Sequence, residues 1–154
     1  MKRQTKAQKY NDLANAIGQI KAGKMVKRIG AKDGSIATKP VVPCPPDPEH
    51  KVKADCIAWL RKHHIMCSGH GCGAGVLEGA GYYAVYGIKD SGDIHGMLRE
   101  RHGQHFELEC KKGAGGKLSA GQRKRLHQVR DNGGLYFVIH GVPELEYYYR
   151  EYMR

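Results

Sequence analysis

Long hydrophobic runs are absent from this sequence of 154 residues. No segment approaches the roughly 20 apolar residues that a membrane-spanning helix requires. The basic first residues are also not followed by the continuous apolar segment that a signal peptide contains. We therefore expect no association with a membrane.

The distribution of the cysteines does not suggest a disulfide framework. The five cysteines are odd in number and unevenly spaced, at positions 44, 56, 67, 72 and 110. Small secreted proteins stabilised by disulfides typically carry an even number of cysteines. The sequence therefore predicts reduced thiols in a cytoplasmic protein.

Acidic residues are too few to balance the basic ones. The chain has 15 Asp and Glu against 26 Lys and Arg, which gives a net charge of +11. Such an excess favours a polyanionic partner, and nucleic acid is the first candidate because no membrane segment is present. The length allows one domain with a hydrophobic core, together with an arm.

Residues 1–45 form the predicted basic N-terminal arm. They hold ten basic residues against two aspartates, so they supply most of the net charge. Thr5 is the predicted cap of a helix that ends near Gly23, and an Asp33-Gly34 turn suggests a hairpin after it. The arm is either a solvated tail or a DNA-binding element, and in the second case Lys27 and Arg28 would contact DNA.

The proline-rich segment PCPPDPEH marks a domain boundary, so the second predicted domain covers residues 46–154. Asp47 is the predicted N-cap of a helix that has Pro48 at its first position and runs to about His64. Glu49 lies in the first turn of this helix. A carboxylate is favoured there by the helix dipole, whether or not it takes part in chemistry.

The segment from Cys67 to Gly92 is rich in glycine and suggests a flexible loop on the substrate side, leading into a tyrosine-rich hairpin. Cys67, His70 and Cys72 also suggest zinc. Their spacing lacks the paired Cys-x2-Cys and His-x3-5-His halves of structural zinc sites, so we favour the loop and keep zinc as the alternative.

Two predicted strands, Asp93–Leu98 and HFELECK, are separated by the polar turn RERHGQ and so should form an antiparallel pair. In the second strand, alternation places Glu107, Glu109 and Lys111 on one face. Asp93 would then lie near Glu109 and Lys111. Neighbouring carboxylates repel each other unless a cation compensates them, so this pattern suggests a divalent metal.

A helix follows the glycine loop KKGAGGKLSAGQ. The loop is not a nucleotide-binding P-loop, because Leu118 stands where a magnesium-binding Ser or Thr is required. Ser119 and Gln122 form a predicted capping box, and Gly133 ends the helix. Its basic residues would suit a phosphodiester backbone. The chain then continues with a buried strand, LYFVIH, and a final helix or aromatic edge.

These features together suggest metal-assisted hydrolysis of a phosphodiester bond. Asp93 and Glu109 would bind Mg²⁺, and the carbonyl oxygen of Cys110 would be a further ligand. Lys111 would orient the attacking water or neutralise charge in the transition state.

The same motifs resemble a known family. YGIKDSGDIHGML, HFELECKKGAGGKLSAGQ and DNGGLYFVIHGVPEL, in this order, resemble the VRR-NUC (virus-type replication-repair nuclease) branch of the PD-(D/E)XK nucleases, over about residues 49–149. The likeness departs at Ser91-Gly92, where family members often have proline, and at Cys67-Ser68-Gly69, where Arg-Asn before a glycine is expected.

The resemblance implies an α/β fold with a mixed central sheet flanked by helices. It implies a metal site for Mg²⁺ or Mn²⁺ in which Asp93 and Glu109 are ligands and Lys111 and Gln122 complete the site. Glu49 contributes as the helix carboxylate, either directly or through a water. The predicted DNA contacts in this domain are Lys112, Lys117, Arg123, Lys124 and Arg125.

Some stand-alone members of this family are phage or bacterial homodimers that cut Holliday junctions. The resemblance therefore implies a homodimeric endonuclease for branched DNA in the bacterial cytoplasm. A restriction-type nuclease would use the same chemistry. The alternative from another class is a non-catalytic nucleic-acid-binding protein whose arm and Cys/His loop bind nucleic acid and zinc.

Overall fold

The computed structural model describes residues 5–23, 34–71, 73–76 and 83–154. The chain divides into two units, residues 1–33 and residues 34–154. The first unit contains helix α1 (Lys6–Lys21). As predicted, Thr5 caps it: the Thr5 hydroxyl accepts a hydrogen bond from the Gln8 amide, and the Gln8 side chain accepts one from the Thr5 amide. Lys27 and Arg28 lie outside the described residues.

The second unit is a mixed α/β structure. Its elements, in chain order, are β1 (Ile36–Thr38), α2 (Glu49–Lys62), β2 (Met66–Gly69), β3 (Gly73–Val76), β4 (Tyr83–Tyr86), β5 (Ile94–Leu98), β6 (Gln104–Cys110), β7 (Gly116–Leu118), α3 (Ala120–Asp131), β8 (Leu135–Ile139) and α4 (Val142–Tyr148). A 3₁₀ turn (Arg99–Arg101) joins β5 to β6, and a π-helical turn (Tyr149–Met153) follows α4.

The central sheet has the strand order β2-β5-β6-β8. Strands β5 and β6 are antiparallel, as predicted, with Ile94 opposite Leu108. Strand β8 is parallel to β6, and α3 lies on the connection between them. The sheet is therefore mixed, which confirms the predicted α/β class at this level. Two further pairs, β1-β7 and β3-β4, lie outside this sheet.

Both faces of β6 are buried, although only its apolar face was expected to form the core. Phe106, Leu108 and Cys110 belong to a hydrophobic cluster with residues of α2 and α4. The opposite face carries Glu107 and Glu109, which are 0% and 3% exposed. Residues of α3 contact these carboxylates, so α3 covers the charged face.

Helix α2 differs from the prediction at its first turn. Pro48, rather than Asp47, is the N-cap, and its carbonyl accepts from the amides of Lys51 and Val52. Proline cannot donate a backbone hydrogen bond, so it is well suited to this position. The helix ends at Lys62, and Val52, Cys56 and Leu60 form its buried face.

Two other expectations require correction. The arm does not extend to residue 45, because residues 34–45 belong to the same unit as the sheet and residues 36–38 pair with β7. The other strand of the predicted hairpin lies outside the described residues. The segment after Ile65 is not a loop throughout, because Met66–Gly69 pairs with β5. The predicted tyrosine-rich hairpin corresponds to β3 and β4. No helix among the described residues is long and apolar enough to cross a membrane.

Candidate active site

A cleft of about 290 Å³ brings all five predicted site residues together. They come from four separate segments: the start of α2, the residue before β5, the end of β6 with the residue after it, and the first turn of α3. The lining includes Glu49, Asp93, Glu109, Lys111 and Gln122, together with Lys53, His70 and Asp90.

Asp93 is fixed directly to strand β6. Its Oδ2 accepts a hydrogen bond of 2.9 Å from the backbone amide of Cys110. Because Cys110 adjoins both Glu109 and Lys111, this bond holds the aspartate beside them. The other carboxylate oxygen, Oδ1, lies 3.4 Å from the ammonium of Lys53, which also donates to the carbonyl of His70 at 2.6 Å.

Glu109 is held by side chains from two directions. Its Oε1 accepts from the Lys111 ammonium at 2.6 Å and from the Gln122 amide at 2.5 Å. The Oε1 of Gln122 accepts from the Ser119 backbone amide, so the predicted capping box is present. Gln122 therefore caps α3 and also contacts the buried carboxylate. The hydroxyl of Tyr136 donates to Glu109 Oε2 at a longer distance, 3.4 Å.

The cleft carries uncompensated negative charge. The pKa of Glu109 is raised to about 7: burial is the main cause, the nearby charges of Asp93 and Glu49 also raise the pKa, and Lys111 lowers it. A carboxylate in this situation is stabilised by an additional cation, because the cation favours its ionised form.

The oxygen donors of the cleft fit a hard divalent cation. One oxygen of Glu109 is bound by Lys111 and Gln122, whereas among the described residues Oε2 has only the long contact with Tyr136. Within the same part of the chain, Asp93 Oδ1 has only a long contact, to Lys53. Glu49 is exposed and lines the same cleft. These carboxylate oxygens form the candidate ligand set, and the carbonyl oxygen of Cys110 remains a prediction from the sequence.

A second group of residues also has converging ligand atoms. Those of His95, His105 and Glu107 lie within 4.8 Å of one another. Both Glu107 oxygens, however, accept hydrogen bonds from the Arg125 guanidinium, and Oε2 also accepts from the Gly92 amide at 2.9 Å. Arg125 already supplies the compensating charge, so Glu107 has a structural role: it holds the residue that precedes Asp93.

The predicted DNA contacts lie in different environments. Lys112, Lys117 and Lys124 are exposed, and Arg123 is half-buried. Arg125 pairs with Glu107, so its guanidinium is engaged within the fold.

The alternative zinc group is described only in part. Cys72 lies outside the described residues, whereas Cys67 has a free thiol. The Nε2 of His70 accepts from the Ile88 amide, and its ring stacks on that of His95.

Two site residues were missed from the sequence. Lys53 follows Glu49 by four positions in α2, so it occupies the same side of the helix, and this spacing was a usable signal. Tyr136 reaches Glu109 from the neighbouring parallel strand β8, across 27 positions of sequence. No local pattern indicates such a contact.

Comparison of the chain with protein-family models, with curated proteins and with solved structures found no match. The function is therefore argued from the chemistry of the cleft.

Proposed function

We propose that this chain is a metal-dependent endodeoxyribonuclease that hydrolyses phosphodiester bonds and acts selectively on branched DNA such as Holliday junctions. One observation carries the proposal: Glu49, Asp93, Glu109, Lys111 and Gln122 line a single cleft. Three carboxylates can hold a divalent cation, and an ammonium can stabilise the charge that develops when a phosphodiester is hydrolysed.

The ligand set supports Mg²⁺ or Mn²⁺. Asp93 and Glu109 would hold the ion with the carbonyl of Cys110, and Glu49 would contribute through a water. When bound, the ion polarises a phosphoryl oxygen and lowers the pKa of a water ligand.

The side chains of the cleft are already arranged before substrate binds. Lys111 is buried and paired with Glu109, so its ammonium needs little reorganisation to neutralise charge that develops on the phosphate. Gln122 restrains the same carboxylate through its amide and through the cap of α3. The preference for branched DNA and the homodimer come from the VRR-NUC resemblance. A dimer would provide two sites for two symmetric cuts.

The test is a cleavage assay with labelled four-way junction, duplex and single-stranded DNA. With Mg²⁺, the wild-type protein should cut the junction fastest. Glu109→Gln and Lys111→Ala should each reduce the rate by about 100-fold or more, the loss typical of removing one group that stabilises the transition state. Glu100→Gln, which changes an exposed carboxylate outside the cleft, should have no effect.

Circular dichroism would verify that each variant is folded. Cleavage that persists in EDTA, or in either cleft variant, would contradict the proposal. Salt-sensitive junction binding with bound zinc and no cleavage would support a non-catalytic nucleic-acid-binding protein instead.

A further inference from the structure

A short antiparallel ribbon formed by β1 and β7 borders the candidate active site. Thr38 lies opposite Gly116 in this ribbon. A Cβ atom placed on Gly116 would lie 3.1 Å from Cδ and 3.2 Å from Cβ of Lys111. The ribbon backbone therefore packs directly on the aliphatic part of the active-site lysine, and a shift of the ribbon would disturb that side chain.

A chain of hydrogen bonds fixes the ribbon to the core. The Thr38 hydroxyl accepts from the Gly116 amide at 3.2 Å and lies 3.0 Å from Nε2 of His140. On its other side, His140 Nδ1 lies 2.8 Å from the Glu144 carboxylate. That carboxylate also accepts from the Val41 amide, just beyond β1.

The direction of these bonds follows from Glu144. Its carboxylate can only accept, so Nδ1 of His140 carries the proton. When His140 is neutral, Nε2 is the acceptor, and the Thr38 hydroxyl donates to it. His140 and Glu144 are each 1% exposed, so the polar atoms of these two side chains depend on protein partners rather than on water. Removal of the Thr38 hydroxyl would leave Gly116 and His140 without this partner.

The outer side of the ribbon carries concentrated positive charge. A cleft of about 500 Å³ is lined by Lys39, Lys112 and Lys117 and by the glycine loop between them. All three lysines are exposed, and within the part of the chain that the structure describes none of them has a carboxylate within 4 Å. Three free ammonium groups beside backbone segments suit a row of phosphates.

We propose that this lysine cleft binds the backbone phosphates of DNA that flank the cleaved bond. The hydrogen-bonded series Thr38–His140–Glu144 positions the cleft against Lys111. The inference rests on the proposed function, because it assigns the substrate's flanking phosphates to a second site beside the first. In the expectations from sequence, Lys39 was counted only among the ten basic residues of the predicted arm, and the three residues of the hydrogen-bonded series had no role.

Binding measurements in EDTA test the lysine cleft without cleavage. The affinity of the full-length protein for a labelled four-way junction would be measured at several salt concentrations. Lys39→Ala/Lys117→Ala should weaken binding about tenfold or more and reduce the slope of log K against log salt by about 1.8, the value for two lost phosphate contacts. Lys62→Ala/Arg99→Ala, which removes two exposed charges elsewhere, should reduce the slope much less.

Substitutions at Thr38 test the positioning role. Thr38→Val keeps the shape but removes the hydroxyl, whereas Thr38→Ser keeps the hydroxyl. Binding measured well below the melting temperature of each variant should weaken several-fold in Thr38→Val and recover in Thr38→Ser. A purely structural role would lower the melting temperature and leave binding by the folded protein unchanged.

The outcomes separate this inference from the proposed function. Equal salt slopes for the two double variants, with normal cleavage by the wild type, would overturn only the proposal that the lysine cleft binds phosphates. Binding that depends on Lys39 and Lys117 without any cleavage in Mg²⁺ would overturn only the proposed nuclease activity. Failure of the wild type to bind any DNA would overturn both.

Discussion

Glu107 and Glu109 lie two residues apart on one face of β6, and the pKa values of their carboxyl groups are shifted in opposite directions. Burial raises the pKa of both. For Glu107, hydrogen bonds from Arg125, the Gly92 amide and His105 outweigh burial and lower the pKa to about 2. For Glu109, burial prevails and the pKa rises to about 7. The charge of Glu107 is thus compensated within the fold, whereas the charge of Glu109 is not fully compensated by its neighbours.

The raised pKa of Glu109 predicts a specific dependence of stability on pH. The folded protein binds this proton more tightly than the unfolded chain, so the charge of Glu109 costs stability as pH rises from about 4.5 to about 7. Between pH 4 and pH 8 in EDTA, Glu109→Gln should therefore gain about 3 kcal/mol relative to wild type. Urea unfolding across this range measures the difference. Parallel stability curves for the two proteins would contradict the prediction.

Binding of a metal ion should remove the loss of folding stability that the charge of Glu109 causes. At pH 8, Mg²⁺ should raise the melting temperature of the wild-type protein, because the ion binds the folded state and compensates Glu109. At pH 5 protons compete with the ion, so the increase should be much smaller. Glu109→Gln should show little increase at either pH. An equal increase in both proteins would place the Mg²⁺ site away from Glu109.

Glu107 should behave in the opposite way. Its pKa is depressed, so its charge contributes stability above about pH 4.5 and loses that contribution as pH falls towards 2. At pH 7, Glu107→Gln should lose about 3 kcal/mol of unfolding free energy, and the loss should shrink on acidification. Urea titrations at pH 3 and pH 7 check this, with the exposed Glu100→Gln as control. A loss that is the same at both pH values would show that the ionised form is not what stabilises the fold.

Lys53 should compete with the metal for Asp93. Its ammonium lies 3.4 Å from Asp93 Oδ1, and both side chains are partly exposed. Removal of a partly solvated positive charge of this kind should strengthen Mg²⁺ binding by about fivefold, which corresponds to about 1 kcal/mol. Calorimetric titration of Lys53→Ala with Mg²⁺ in the absence of DNA tests this. Lys62→Ala, in the same helix but outside the cleft, is the matched control. Weaker binding by Lys53→Ala would indicate that the lysine orients Asp93 instead.

The elements that surround the site were predictable because their signals are local. Alternation in β6, the polar turn before it and the capping box of Ser119 and Gln122 each lie within a few residues, and each formed as expected. The position of Asp93 beside Glu109 followed from the antiparallel pairing of β5 and β6 alone.

The remaining features depend on contacts between distant parts of the chain. Thr38 meets Gly116 across 78 positions, and no pattern near either residue indicates that β1 pairs with β7. The role of Glu107 depends on Arg125, a residue that its sequence context marks only as one of several basic residues on α3. Packing decides side-chain partners of this kind. The sequence alone therefore could not show that Glu107, rather than Glu109, is paired with an arginine.

Gly96 should be essential for the central sheet, although it lies outside the cleft. A Cβ atom at this position would overlap the ring of Phe106 and the carbonyl oxygen of Met66, and a backbone oxygen in a paired strand cannot move aside. Gly96→Ala should therefore cost about 3 kcal/mol, the upper range for overpacking a core. The control is Gly103→Ala, where φ is +78° and no neighbouring atom lies within 4 Å. Backbone strain alone should cost it about 1 kcal/mol. Urea unfolding would compare the two, and equal losses would mean that the sheet can open at β2 to accept the methyl group.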